Sequence, residues 1–79
     1  MRVGLKLLKN VLGKHEEIEK SVAGTGYLAK TVIGVGTFLL DNEGDLDLLS
    51  SKQQVTFERF IQPLLAAHAR GHRKQQESN

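Results

Sequence analysis

Apolar residues recur three or four positions apart in three stretches of the chain, and this spacing predicts helices. In residues 3–22, Leu5, Leu8 and Leu12 form one stripe, and Val11, His15, Ile18 and Val22 recur at the same period. Glu16 and Lys20 stand four apart in the favourable order for a pair on a helix surface. Gly13 falls inside the segment, where glycine costs roughly 1 kcal/mol relative to alanine, so it marks the point at which the helix would split. The run Ala23-Gly24-Thr25-Gly26 is a break before the next element.

Residues 25–40 are rich in β-branched side chains, which raises the alternative of a strand at 31–40. A half-buried strand alternates, yet neither the odd positions (Thr31, Ile33, Val35, Thr37, Leu39) nor the even ones (Val32, Gly34, Gly36, Phe38, Leu40) are consistently polar. Helical spacing sorts the residues better. Leu28, Val32, Val35 and Leu39 form an apolar stripe; Gly26, Ala29, Ile33 and Gly36 form a stripe of mostly small residues open to close approach. Lys30, Gly34, Thr37 and Asp41 make up the polar remainder.

Asp41-Asn42-Glu43-Gly44 has the composition of a turn. A third helix begins after Ser50, which forms a capping-box pattern with Gln53. Phe57, Phe60, Ile61, Leu64 and His68 give its inward face. Pro63 lacks an N–H and its ring would clash with the carbonyl of Arg59, so a kink or a fresh helix start is expected there. Gly71 is a natural stop. The expected fold is therefore all-α, a small three-helix bundle with its third helix kinked or split at Pro63. The alternative is α+β, with residues 31–40 as a strand. Residues 1–71 would form a single helical domain and 72–79 a flexible polar C-terminal tail.

Composition narrows the function. With 79 residues there is room for one domain only. Apolar residues at 39% and charged residues at 25% describe a foldable globular chain. A chain this short buries only about 60–65% of its unfolded surface. Its aromatics are few: Tyr27, Phe38, Phe57 and Phe60, with no Trp. Small scaffolds of this kind often lean on disulfides, metals or partners. The absence of Cys removes the disulfide route and thiolate zinc sites, which leaves a partner. It also fits a reducing compartment, so a cytoplasmic location is expected. The formal charge of +2 is small, but its order along the chain is basic, acidic, basic. Residues 1–15 hold Arg2, Lys6, Lys9 and Lys14; residues 41–47 hold Asp41, Glu43, Asp45 and Asp47; residues 68–74 hold Arg70, Arg73 and Lys74. The two ends could attract the middle, within a chain or between chains.

The chemical motifs are weak. Residues 24–31 resemble a phosphate-binding loop with Ala29 in place of its second glycine. However, a charged helical stretch precedes them instead of a hydrophobic strand, and the chain is too short for the parallel sheet such loops need. The acidic residues 41–47 resemble a calcium loop. Counted from Asp41, though, the sixth position is Leu46 rather than Gly and the twelfth is Lys52 rather than Glu. His68 and His72 are four apart, without the Glu of a zinc-hydrolase motif. No nucleophile, base and orienting group come together in the sequence, so no catalytic residue is expected, and no cofactor, metal or small-molecule substrate either. The basic amphipathic residues 1–14 could lie on an anionic membrane, but equally can bury their leucines in a core. Residues 22–40 carry one charge, Lys30, at what would be mid-bilayer depth, which argues against a membrane span.

These features predict a non-enzymatic helical interaction module that self-associates or docks on a larger protein. Its interface would draw on Leu5, Leu8, Leu12, Leu28, Val32, Val35 and Leu39. One alternative is a nucleic-acid-binding accessory using the basic ends, with Arg70, Arg73 and Lys74 on phosphates. Another is a small membrane-associated protein.

Overall fold

The structure is a computed structural model, and it describes residues 2–69. The fold is all-α. Helix α1 (Leu5–Leu12) and helix α2 (His15–Val22) are followed by the 13-residue helix α3 (Ala29–Asp41). A single 3₁₀ turn (Leu46–Leu48) leads into α4 (Ser51–Thr56). Without interruption α4 continues through a π-helical stretch (Phe57–Ile61) and then through α-helical residues 62–69. Together, residues 51–69 are referred to as the last helix. Helix α3 packs against α1, α2 and the last helix.

The first segment is two helices rather than one. Gly13 caps α1, donating its N–H to the carbonyl of Lys9, and Lys14 precedes α2 in a non-helical conformation. Splitting there lets each short helix turn its own apolar side inward. Leu8, Val11 and Leu12 are buried from α1, and Ile18 and Val22 from α2.

Residues 31–40 are helical, so the strand alternative is excluded. Helix α3 starts four residues later than residue 25, because Thr25 folds its hydroxyl back on the carbonyl of Val22 (2.6 Å) and accepts the N–H of Tyr27 (3.1 Å). Gly24 and Gly26 have φ of 76° and 85°, a left-handed backbone that a helix cannot contain. Val32, Val35, Gly36 and Leu39 are the buried side of α3. At its end, the N–H of Glu43 reaches the carbonyl of Leu40 (3.3 Å) and the N–H of Gly44 that of Leu39 (2.6 Å). This is the paired closure of a Schellman motif, with Glu43 as its left-handed residue at φ 59°.

The chain start is tied to that turn. Val3 donates its N–H to the carbonyl of Gly44 (3.0 Å), and Arg2 and Asp45 form an isolated antiparallel bridge. Gly44 is buried at φ 75°, and a Cβ there would lie 2.6 Å from the carbonyl oxygen of Val3.

The last helix starts with the expected capping box. Ser50 Oγ accepts the N–H of Gln53 (3.2 Å), and Gln53 Oε1 accepts the N–H of Ser50 (2.9 Å). Pro63 neither ends this helix nor starts another, since residues 62–69 continue it. The chain instead widens one turn immediately before the proline. Gln62 donates its N–H to the carbonyl of Phe57, five residues back, and this π turn stands where the ring would otherwise meet the Arg59 carbonyl. Phe57, Phe60, Ile61 and Leu65 stay buried across the irregularity. The expected stop at Gly71 and the tail 72–79 lie outside the described residues.

Candidate interaction surface

The residues expected at an interface separate into two groups. Leu8, Leu12, Val32, Val35 and Leu39 are buried in the chain's own core, so their apolar spacing serves the fold itself. Leu5 and Leu28 are on the surface, 39% and 64% exposed. Leu48 and Val55 join them at 52% and 51%, and neither was marked by the apolar periodicity. Arg70, Arg73 and Lys74 lie outside the described residues, as does His72.

The stripe of small residues is also divided. Gly36 faces α1, where a Cβ would overlap the Leu12 side chain, coming to 2.9 Å from Cδ1 and 3.0 Å from Cγ. The absence of a side chain at Gly36 therefore sets the close approach of α1 and α3. Gly26 is outside the helix, in the preceding turn, with nothing within 4 Å of a Cβ. Ala29 and Ile33 are half-buried at the edge of the core.

The polar remainder of α3 is the face turned away from that core. Lys30, Gly34, Thr37 and Asp41 are all exposed, and Ile33 and Phe38 are half-buried beside them. Gly34 sits in the middle of the helix, and no described residue lies within 4 Å of where its Cβ would be. Thr37 donates its hydroxyl to the carbonyl of Ile33 (2.9 Å), so its polar group is satisfied within the helix. Among the described residues the face has no partner for a glycine to accommodate, and it is bounded by one cation and one anion at its two ends.

Other polar contacts join elements of the fold. His68 on the last helix lies 3.3 Å from Glu17 Oε1 on α2. Arg2 pairs loosely with Glu43 at 3.6 Å, with both side chains largely in water. Tyr27 meets Phe60 edge to face at 4.8 Å, and the Arg59 guanidinium lies 5.4 Å from each ring centre. That cluster closes the turn before α3 against the last helix. It was not legible in advance, because it joins residues more than thirty positions apart. Among the described residues, no three His, Asp or Glu side chains gather where they could share a metal ion. No described helix is long and apolar enough to cross a membrane.

The formal charge of the described residues sums to zero. Of the chain's 11 Lys and Arg, Arg70, Arg73 and Lys74 follow residue 69; of its 9 Asp and Glu, Glu77 does. The surplus of +2 therefore resides in residues 70–79, and residues 2–69 are balanced. Comparison with protein-family models, with curated proteins and with solved structures finds no match to this chain.

Proposed function

We propose that this protein is a non-enzymatic interaction module that works by associating with another protein surface, a second copy of itself in the first place. The observation that carries the reading is Gly34. An exposed glycine in a helix interior costs roughly 1 kcal/mol relative to alanine. Gly36 repays that cost by letting α1 approach, whereas Gly34 has no neighbour among the described residues. A second surface seated on α3 supplies the missing reason. The small core of a 79-residue chain adds to the motive, because association buries apolar surface that the monomer leaves in water. The proposed setting is the cytoplasm, in keeping with a chain free of Cys.

The formal charge of residues 2–69 sums to zero, so the body lacks the net positive charge common among nucleic-acid binders, and Arg2, Lys6, Lys9 and Lys14 form an acid-free basic segment at its start. Size-exclusion chromatography with light scattering and an ultraviolet spectrum, on the full chain freshly purified in low salt, tests the reading. A single Tyr and no Trp leave the protein's own absorbance weak, so bound nucleic acid would dominate the spectrum. The expected result is a protein-only peak at a multiple of 8.7 kDa. A nucleobase spectrum that disappears in high salt would overturn the proposal in favour of the basic residues after 69. A protein-only monomer at every concentration would shift the occupant of the surface from a second copy to a different protein.

A further inference from the structure

The outward face of α3 is complementary to itself when it is read in the opposite direction. Lys30 and Asp41, Ile33 and Phe38, and Gly34 and Thr37 are each centred on the point midway between Val35 and Gly36. Two copies of α3 laid antiparallel about a twofold axis at that point bring Lys30 of each to the level of Asp41 of the other. Gly34 then stands beside Thr37, a space beside a side chain, and Ile33 and Phe38 border the seam on either side. We infer that the chain forms an isologous dimer through this face, resting on the reading above that α3 receives a second surface.

Three features of the structure support this occupant. First, the charges are opposite and placed at the two ends, so the antiparallel arrangement makes two Lys–Asp pairs, while a parallel one would set Lys against Lys and Asp against Asp. Second, those charges cannot serve each other within one chain. Lys30 and Asp41 are eleven residues apart on a single helix, about 16 Å along its axis. Third, the face is open among the described residues: Lys30, Gly34, Thr37 and Asp41 are exposed, and a Cβ at Gly34 would meet none of the described atoms within 4 Å. A twofold axis requires each patch to complement itself, and the three centred pairs meet that requirement. Preferred helix packing keeps axes about 8–10 Å apart, with smaller side chains at the contact allowing the closer values, and Gly34 is the smallest available. A 13-residue helix pair is a small interface, so the dimer is expected to be weak and in exchange with monomer.

Charge reversal tests both the face and the register. The full chain is followed by sedimentation equilibrium over a concentration series, beside Lys30→Glu, Asp41→Lys and the double variant. Each single reversal turns both Lys–Asp pairs into like-charge pairs and is expected to weaken dimerisation by about tenfold. The double variant re-creates both pairs in the opposite sense and is expected to return to within about threefold of the parent. Gly34→Gln, which fills the seam from an open surface position, is expected to leave a folded monomer with its helical circular dichroism intact. A dimer that ignores the reversals and Gly34→Gln would overturn the α3 pairing while leaving self-association standing. Single reversals that weaken it without recovery in the double variant would overturn the antiparallel register. A chain that stays monomeric throughout would overturn self-association as well, leaving a different protein as the partner.

Discussion

Two glycines of α3, two positions apart, stand in opposite surroundings, and replacing each with alanine separates packing from helix propensity. At Gly34 the new methyl meets none of the described residues within 4 Å. Only propensity acts there, and Gly34→Ala is expected to stabilise the monomer by about 1 kcal/mol. At Gly36 the same gain is opposed by the Leu12 side chain, whose Cδ1 and Cγ would be 2.9 Å and 3.0 Å from the new Cβ. Leu12 is itself part of the buried core cluster, so its side chain has little room to yield. Overpacking of this kind costs about 1–3 kcal/mol, which leaves Gly36→Ala with a net loss of up to about 2 kcal/mol. Because propensity is common to both variants, the difference between them reports the overpacking alone. For a domain of this size 1 kcal/mol moves the midpoint by about 4–8 °C. Thermal melts by far-UV circular dichroism, in dilute solution where the monomer prevails, should place Gly34→Ala above the parent and Gly36→Ala well below Gly34→Ala. In a Leu12→Val background the Gly36→Ala penalty should shrink, because the clashing branch is shortened. Equal gains for both alanines would refute the reasoning that Gly36 sets the approach of α1 and α3.

Three further substitutions probe other parts of the fold. Ser50→Ala removes half of the capping box and should lower stability by about 1 kcal/mol, read as a shift in the urea midpoint at unchanged slope. Gly44→Ala forces a side chain into a left-handed backbone and against the Val3 carbonyl; a loss of about 2 kcal/mol is expected, with faster hydrogen exchange at the Val3 amide. Val35→Asp puts an unpaired carboxylate among buried apolar side chains at a cost of several kcal/mol, against roughly 4–12 kcal/mol for a chain of this length. It should abolish the cooperative melt, and assembly with it. A folded Val35→Asp chain of native mass would contradict the placement of Val35.

The helical periods were legible because they depend on neighbours along the chain. The stripe Val32, Val35 and Leu39 separated helix from strand despite the β-branched composition, and the capping box at Ser50 and Gln53 is a local hydrogen-bond exchange that four residues specify. The split of the first segment was legible as a weak point at Gly13, while its outcome depended on two short helices both finding α3. Pro63 shows the limit of local reasoning. Its clash with the Arg59 carbonyl follows from its ring, but a π turn that keeps Phe57, Phe60 and Ile61 buried is selected by the core they fill. The same limit governs the surface. Amphipathicity marks a face that avoids water without saying whether the cover comes from the same chain, and for Leu8, Leu12, Val32, Val35 and Leu39 it does. Gly34 and Gly36 look alike in sequence, and only the position of Leu12 tells the occupied glycine from the open one.

The most direct test of an associating α3 face is a dilution series of the ¹⁵N-labelled chain followed by NMR. Amide shifts of Lys30, Ile33, Gly34, Thr37, Phe38 and Asp41 are predicted to move together with one dissociation constant, while those of Leu8, Ile18 and Ile61 stay fixed. Shifts that do not change on dilution, or that change around Leu5 and Leu28 and leave α3 untouched, would contradict it.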